Sequence, residues 1–161
     1  MVSLEVPAAH PRRAHRRSVS GHPTSRRRTA AQISYNMSRV RSSGSRIELR
    51  LAGALRQRRL RFKCQVRDLP GSPDFVLEKN KICIFCDSEF WHGFRWQEAK
   101  MRIKSNQAFW IAKIEDNMRR DRRVTRQLKS RGWKVIRLWE RDILQRLTWC
   151  MDNLSIILNS S

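Results

Sequence analysis

No stretch of this sequence approaches the roughly 20 consecutive apolar residues that a bilayer-spanning helix needs, and no secretory hydrophobic region lies near its start. Those absences argue against a membrane-embedded chain and against a secreted one. Cysteine is scarce: Cys64, Cys83, Cys86 and Cys150 do not make a disulfide framework of the secreted type, so a reducing cytosol is the expected compartment. Cys83 and Cys86 do spell CxxC, but in a stretch that reads as a strand. Residues three apart there point to opposite faces, so core-packing thiols are expected rather than a zinc clamp. Acidic residues are also few, 14 Asp and Glu against 35 Lys and Arg, for a formal net charge of +21. That excess is too large to serve solubility alone. It calls for an anionic partner, nucleic acid before a membrane surface.

What the chain does have is 161 residues, 40% of them hydrophobic, enough for one domain with its own core. Residues 1–33 read as a separate basic arm, with PRRAHRRSVSGHPTSRRRT poor in large apolar side chains. Two readings of it stand: a nucleic-acid-binding arm, or a leader that the fold does not need, with an organellar transit peptide as a minor variant. Residues 34–161 read as the folded domain. Ser45 is placed to cap a helix whose Ile47, Leu51 and Leu55 repeat at i, i+4, i+8. A strand-like run follows at residues 62–66, then a Pro-Gly turn, FVL, a Lys79-Asn80-Lys81 turn, and the buried-strand pattern ICIF. A basic segment leads to a long helix over 107–130, stopped by Gly132. The strand WKVIRLW and one amphipathic helix from Asp142 close the chain. The order α, β, β, β, α, β, α predicts an α/β fold, a mixed β-sheet flanked by helices.

Acids beside apolar strands in a basic protein need an explanation. Asp74 heads FVL after a proline turn, Asp87 ends the strand that follows, and Glu48 lies on the first helix. Any one alone reads as a turn or surface acid. Together they suit Mg²⁺, which takes few protein ligands, keeps its waters, polarises a phosphate and activates a water. His92 stands alone among the histidines in lying outside the basic arm, and can serve as general base or be a plain loop residue. Trp110, Ile114, Asn117 and Asp121 share one helix face. Asp121, on the core side, needs a partner: His92, or Arg122 or another nearby arginine. Phe90 and Trp91 in succession cannot both point inward, so one is expected exposed or inserted as a wedge into a base stack. Met37 is a weaker second wedge candidate.

At this point the residues resemble a known family. The ordered blocks YNMSRVRSSGSRIELRL, LPGSPDFVL, IFCDSEFWHG, FWIAKIEDNMRRDRR and GWKVIRLWE are similar to those of the very-short-patch repair (Vsr) mismatch endonucleases. The resemblance implies a restriction-endonuclease-like core and Mg²⁺ as cofactor. It implies Asp74 as the central metal carboxylate, the Cys86 backbone carbonyl as a second ligand, and Glu48 acting through water. His92 would be the general base held by Asp121, Asp87 would lie beside the scissile phosphate, and Met37, Phe90 and Trp91 would intercalate. The implied substrate is duplex DNA with a T:G mismatch, nicked 5′ of the thymine. The implied setting is a monomer in the bacterial cytoplasm at the nucleoid, with mismatch-repair proteins as candidate partners.

Two departures stand out. Many members hold a structural zinc with Cys and His, where this chain has Glu89, Phe94, Trp96 and Arg141. No zinc site is expected, and packing must take its place. The nuclease core's usual lysine is also missing after Asp87, and His92 is expected to take its role. Two rivals remain at this stage: a restriction-like or mobile-element endonuclease without mismatch preference, and a non-catalytic basic DNA-binding protein. The acids Asp74, Asp87 and Asp121 argue against the second, because they repel phosphate unless a cation intervenes.

Overall fold

Helix α1 (Arg46–Gln57) begins at a reciprocal cap: Ser45 Oγ accepts from the Glu48 N–H at 3.4 Å, and Glu48 Oε1 accepts from the Ser45 N–H at 3.4 Å. The computed structural model of the protein describes residues 44–160. The arm 1–33 and Met37 lie outside them. Ile47, Leu51 and Leu55, the face expected from their spacing, are all buried.

Strand β1 (Lys63–Cys64) is shorter than the run expected over 62–66, and both its residues are exposed. Gln65 has a φ of +49°, which bends the chain out of the strand, while Leu60 and Phe62 turn inward onto the core. Strands β2 (Phe75–Leu77) and β3 (Ile82–Asp87) form an antiparallel pair, with Phe75 opposite Ile84 and Leu77 opposite Ile82. A short helix α2 (Trp96–Ala99) forms within the segment read only as a basic connection. Helix α3 (Gln107–Ser130) crosses over to strand β4 (Lys134–Trp139), which pairs parallel with β3 from Ile82–Lys134 to Asp87–Trp139. Gly132, at φ +77°, ends the crossover helix where the sequence placed its stop. The sheet order is β1-β2-β3-β4. The single closing helix expected from Asp142 is two, α4 (Glu140–Gln145) and α5 (Leu147–Asn159). They break at Arg146, whose side chain turns back to Asp142 Oδ1 at 2.5 Å.

Alternation along the strands divides the core in two. Phe75, Leu77, Ile82, Ile84 and Leu138 pack with the buried face of α1 and with Ile143, Met151 and Leu154 of the closing helices. Val76, Cys83 and Phe85 face the other way, against Val124 and Leu128 of α3. Cys83 and Cys86 therefore fall on opposite sides of the sheet, as core thiols. Helices cover both faces of a mixed sheet, in a restriction-endonuclease-like α/β fold. Among the described residues no helix is long and apolar enough to cross a membrane.

The turn before β2 matters for function because it delivers Asp74. Gly71 has a φ of +76°, and a Cβ there would lie 2.5 Å from Val124 Cγ1 on α3. Only glycine lets this turn press on the helix without strain. Gly71→Ala is expected to lower stability by about 1–3 kcal/mol, read by urea unfolding. An unchanged midpoint would mean that the turn does not bear on α3.

Candidate active site

The ends of β2 and β3, the loop after β3 and the middle of α3 meet at a cleft of about 470 Å³. Asp74, Cys86, Asp87, His92, Asp121 and Glu48 all line it. The Cys86 N–H donates to Asp74 Oδ2 at 2.7 Å, which locks the carboxyl of one strand to the backbone of the next. Burial raises the Asp74 carboxyl to about 6; the Cys86 hydrogen bond and the His92 charge oppose this, while Glu48 and Asp87 add to it. Glu48 is held by its own helix end, with Oε2 accepting from the Gly44 N–H at 3.0 Å and Oε1 accepting from Ser45 Oγ at 2.7 Å. Burial, reinforced by the carboxylates of Asp74, Glu48 and Asp87, pushes the Cys86 thiol far up, so it offers no thiolate.

His92 is carried by the turn after β3, closed by its N–H to the Ser88 carbonyl at 3.3 Å. Its Nδ1 lies 2.6 Å from Asp121 Oδ2. A carboxylate that close makes Nδ1 the donor, which in the neutral ring leaves the lone pair on Nε2. Burial would raise the Asp121 carboxyl, but the His92 hydrogen bond and the charges of Arg137, His92 and Arg120 outweigh it and hold it below the ordinary value. The partner question is thus resolved in geometry: one Asp121 oxygen goes to His92, the other lies near Arg137 and Arg120, and Arg122 turns to the Met118 carbonyl.

Three of the four residues on the expected face of α3, Trp110, Asn117 and Asp121, grip this turn. Trp110 meets Phe90 and Trp91 edge-on at 5.6 and 5.7 Å, and Asn117 Nδ2 donates to the Trp91 carbonyl at 3.3 Å. Phe90 is 47% exposed, while Trp91 is half-buried, so the pair splits as its succession required. Where a structural zinc was not expected, side chains interlock. Arg141 lies 3.7 Å from Glu89 and over the Phe94 ring at 5.4 Å, Phe94 packs edge-on against Trp139, and Trp96 Nε1 donates to Glu115 at 3.1 Å.

Arg137 escaped the sequence reading. It lies on β4 between Val135 and Trp139, on the sheet face that packs against α3. Its Nε and Nη2 donate to the two oxygens of Asp87 at 2.6 and 2.8 Å, and Nη2 also lies 3.3 Å from Asp121 Oδ1. Asp87 is only 3% exposed and is held by this fork. The signal was available: an arginine on the covered face of a strand demands anionic partners.

Mg²⁺ suits the cleft. Among the described residues no three His, Cys, Asp or Glu side chains form a cage, but Mg²⁺ uses one or two carboxylates and keeps its waters. The raised Asp74 carboxyl, with Glu48 and Asp87 adding like charge, is a field that a divalent cation relieves.

A mixed sheet covered by helices, with an acid at the head of one strand beside a His–Asp pair, fits a nuclease of the restriction-endonuclease-like class. Comparison with known proteins narrows this. The model of the DNA mismatch endonuclease Vsr family matches residues 26–98. A type II nicking enzyme of Neisseria meningitidis serogroup C is 43% identical over 126 residues, 78% of this chain and 85% of the relative. A type II nicking enzyme of Haemophilus parainfluenzae is 45% identical over 105 residues, 65% of this chain and 74% of the relative. The DNA mismatch endonuclease Vsr of Escherichia coli is 37% identical over 110 residues, 68% of this chain and 70% of the relative. The chain belongs to the Vsr family and is a DNA endonuclease.

The Asp74 shift fixes the sign of a stability effect. Its folded value of about 6 exceeds the ordinary carboxyl value of 3.8, so the folded state holds this proton more tightly. In metal-free protein its contribution is most favourable below the lower value and is lost as pH rises through the higher one. The stability gained by Asp74→Asn over wild type is therefore expected to grow between pH 4 and pH 6.5 in urea titrations. A gain that is flat or shrinks with pH would show that Asp74 is not held in a proton-favouring site.

Proposed function

We propose that the chain is a Mg²⁺-dependent endonuclease that nicks the phosphodiester 5′ of the thymine in a T:G-mismatched duplex, opening the strand for short-patch repair. The observation that carries this reading is the His92–Asp121 contact of 2.6 Å in the same cleft as Asp74. It is supported by the family and by the names of relatives, one a mismatch endonuclease and two nicking enzymes.

In this mechanism Asp121 keeps the proton on Nδ1 of His92 and stabilises the imidazolium that forms. Nε2 takes the proton of a water as its oxygen bonds to phosphorus, and the bond from phosphorus to the leaving sugar oxygen breaks. Asp74 and the Cys86 backbone carbonyl would hold Mg²⁺, with Glu48 acting through water, a role that suits a carboxylate already tied to its own helix end. Bound there, Mg²⁺ supplies positive charge to the phosphate and the leaving oxygen. Asp87 anchors the cleft from β3 while held by Arg137.

Phe90 and Trp91 act as wedges beside the mismatch, joined by Met37 on the strength of the resemblance. Trp110 braces both rings from α3, so the wedge and the general base ride on one turn. Insertion at a weakened base pair would then set His92 against its phosphate. Arg119, Arg122, Arg123 and Arg126 line a basic groove on α3 suited to the DNA backbone. The enzyme is proposed to work as a monomer in the bacterial cytoplasm, with mismatch-repair proteins as partners.

Nicking of a labelled duplex with one T:G pair tests this, in Mg²⁺ or EDTA. Cleavage 5′ of the thymine is expected only with Mg²⁺, falling about 10²–10⁴-fold in His92→Ala and to background in Asp74→Ala. The double change Phe90→Ala/Trp91→Ala is expected to erode the preference for mismatched over matched duplex more than overall binding. Equal cutting of matched duplex by wild type would discard the mismatch reading. Salt-sensitive binding without cleavage of either duplex would discard the mechanism.

A further inference from the structure

One guanidinium ties together the two carboxylates that flank His92. Arg137 forks onto Asp87 with Nε and Nη2, at 2.6 and 2.8 Å, and the same Nη2 lies 3.3 Å from Asp121 Oδ1 and 3.4 Å from His92 Nδ1. Since Nδ1 is already the donor to Asp121, the last of these is a contact of charge, not a hydrogen bond. Asp87 Oδ1 lies 3.6 Å from the same Nδ1. Asp87 and Asp121 therefore compete for one imidazole N–H, and Arg137 decides between them. It occupies both Asp87 oxygens and leaves Asp121 Oδ2 as the short acceptor. The guanidinium itself is fixed from behind, 4.7 Å over the Phe85 ring, its partner in register on β3. Its Nη1 is buried with no hydrogen-bond partner among the described residues. An arginine that leaves one buried donor unpaired in order to hold two acids is set by those acids, because an unmade buried hydrogen bond is costly.

Resting on the proposed nuclease mechanism, we propose that Arg137 is a positioning residue for His92: by holding Asp87 in a fork and bearing on Asp121, it directs Nδ1 to Asp121 and keeps Nε2 aimed for water. It acts through His92 and does not touch the phosphate. Without the guanidinium, Asp87 is free to draw Nδ1 away, and the ring turns.

The test is a cycle of single-turnover nicking rates on the T:G duplex at saturating protein, with wild type, Arg137→Met, His92→Ala and the double variant. Thermal unfolding and DNA binding are measured alongside. Arg137→Met is expected to slow nicking about 100-fold while DNA affinity stays within about threefold. In the His92→Ala background the same change is expected to cost under about threefold, since residues that act as one unit are not additive. Arg137→Lys keeps the charge without the fork, serves if the methionine variant unfolds, and is expected to lose about tenfold in rate. The lysine variant takes the same cycle with His92→Ala. An equal loss with and without His92 would mean that Arg137 serves the phosphate or the fold directly, and would overturn the proposal. So would an unchanged rate in either folded variant. Failure of wild type to nick, or a His92→Ala variant as fast as wild type, would instead reject the nuclease mechanism itself.

Discussion

A 2.6 Å contact between the His92 ring and the Asp121 carboxylate joins the turn after β3 to the middle of α3. Each neighbouring feature serves to make that contact possible. The parallel pairing of β3 with β4 requires a long crossover, and α3 is its main element. The crossover lays Asp121 beside the strand end from which the His92 turn departs. Val124 and Leu128, one and two turns further along, bury the helix on the sheet, so the carboxylate is fixed by the core. Trp110 and Asn117 hold the turn from the other direction. Gly93, at φ +70°, lies against Met118, where a Cβ would collide with the thioether. A larger residue next to the histidine would force the Met118 side chain aside and strain the backbone of the turn.

The electrostatics follow from the same packing. Three aspartates line the cleft of a chain of net charge +21, and each is handled differently. Asp121 is kept ionised by His92 and arginines, and Asp87 is neutralised by a buried fork. Asp74 is left protonating more easily than usual. The side chains around Glu89, Phe94 and Arg141 give the outer wall of the loop its shape through an ion pair and ring contacts. Such contacts are weaker and more exposed than metal bonds. The rigidity of the turn must therefore come mainly from α3.

Much of this was legible in the residues. The cap at Ser45, the stop at Gly132 and the face of Trp110, Ile114, Asn117 and Asp121 were readable because each is a local pattern with a direct physical cause. The gathering of Asp74, Asp87 and His92 was readable because strand ends on one sheet lie together, while Cys86 entered only through the family resemblance. Other features depend on contacts between distant segments. The break at Arg146 interrupts an apolar pattern that continues through Leu144 and Leu147; it lies in the backbone, at φ −136° and ψ 42°, which the side-chain pattern does not carry. The shrinking of the first strand reflects Leu60 and Phe62 turning to the core. Arg137 was hidden for a different reason. In a chain with 35 basic residues, one arginine inside WKVIRLW reads as another surface charge until its alternation with Val135 and Trp139 is followed.

The central claim is that Asp121 holds the proton on Nδ1 and leaves Nε2 of His92 as the base. Nitrogen-15 NMR of ring-labelled histidine, with the His92 signals assigned by their loss in His92→Ala, tests this directly. In its neutral form, His92 is expected to show a protonated Nδ1 and an unprotonated Nε2, a pattern weakened in Asp121→Asn. A His92 ring protonated on Nε2 in the wild-type protein would contradict the account.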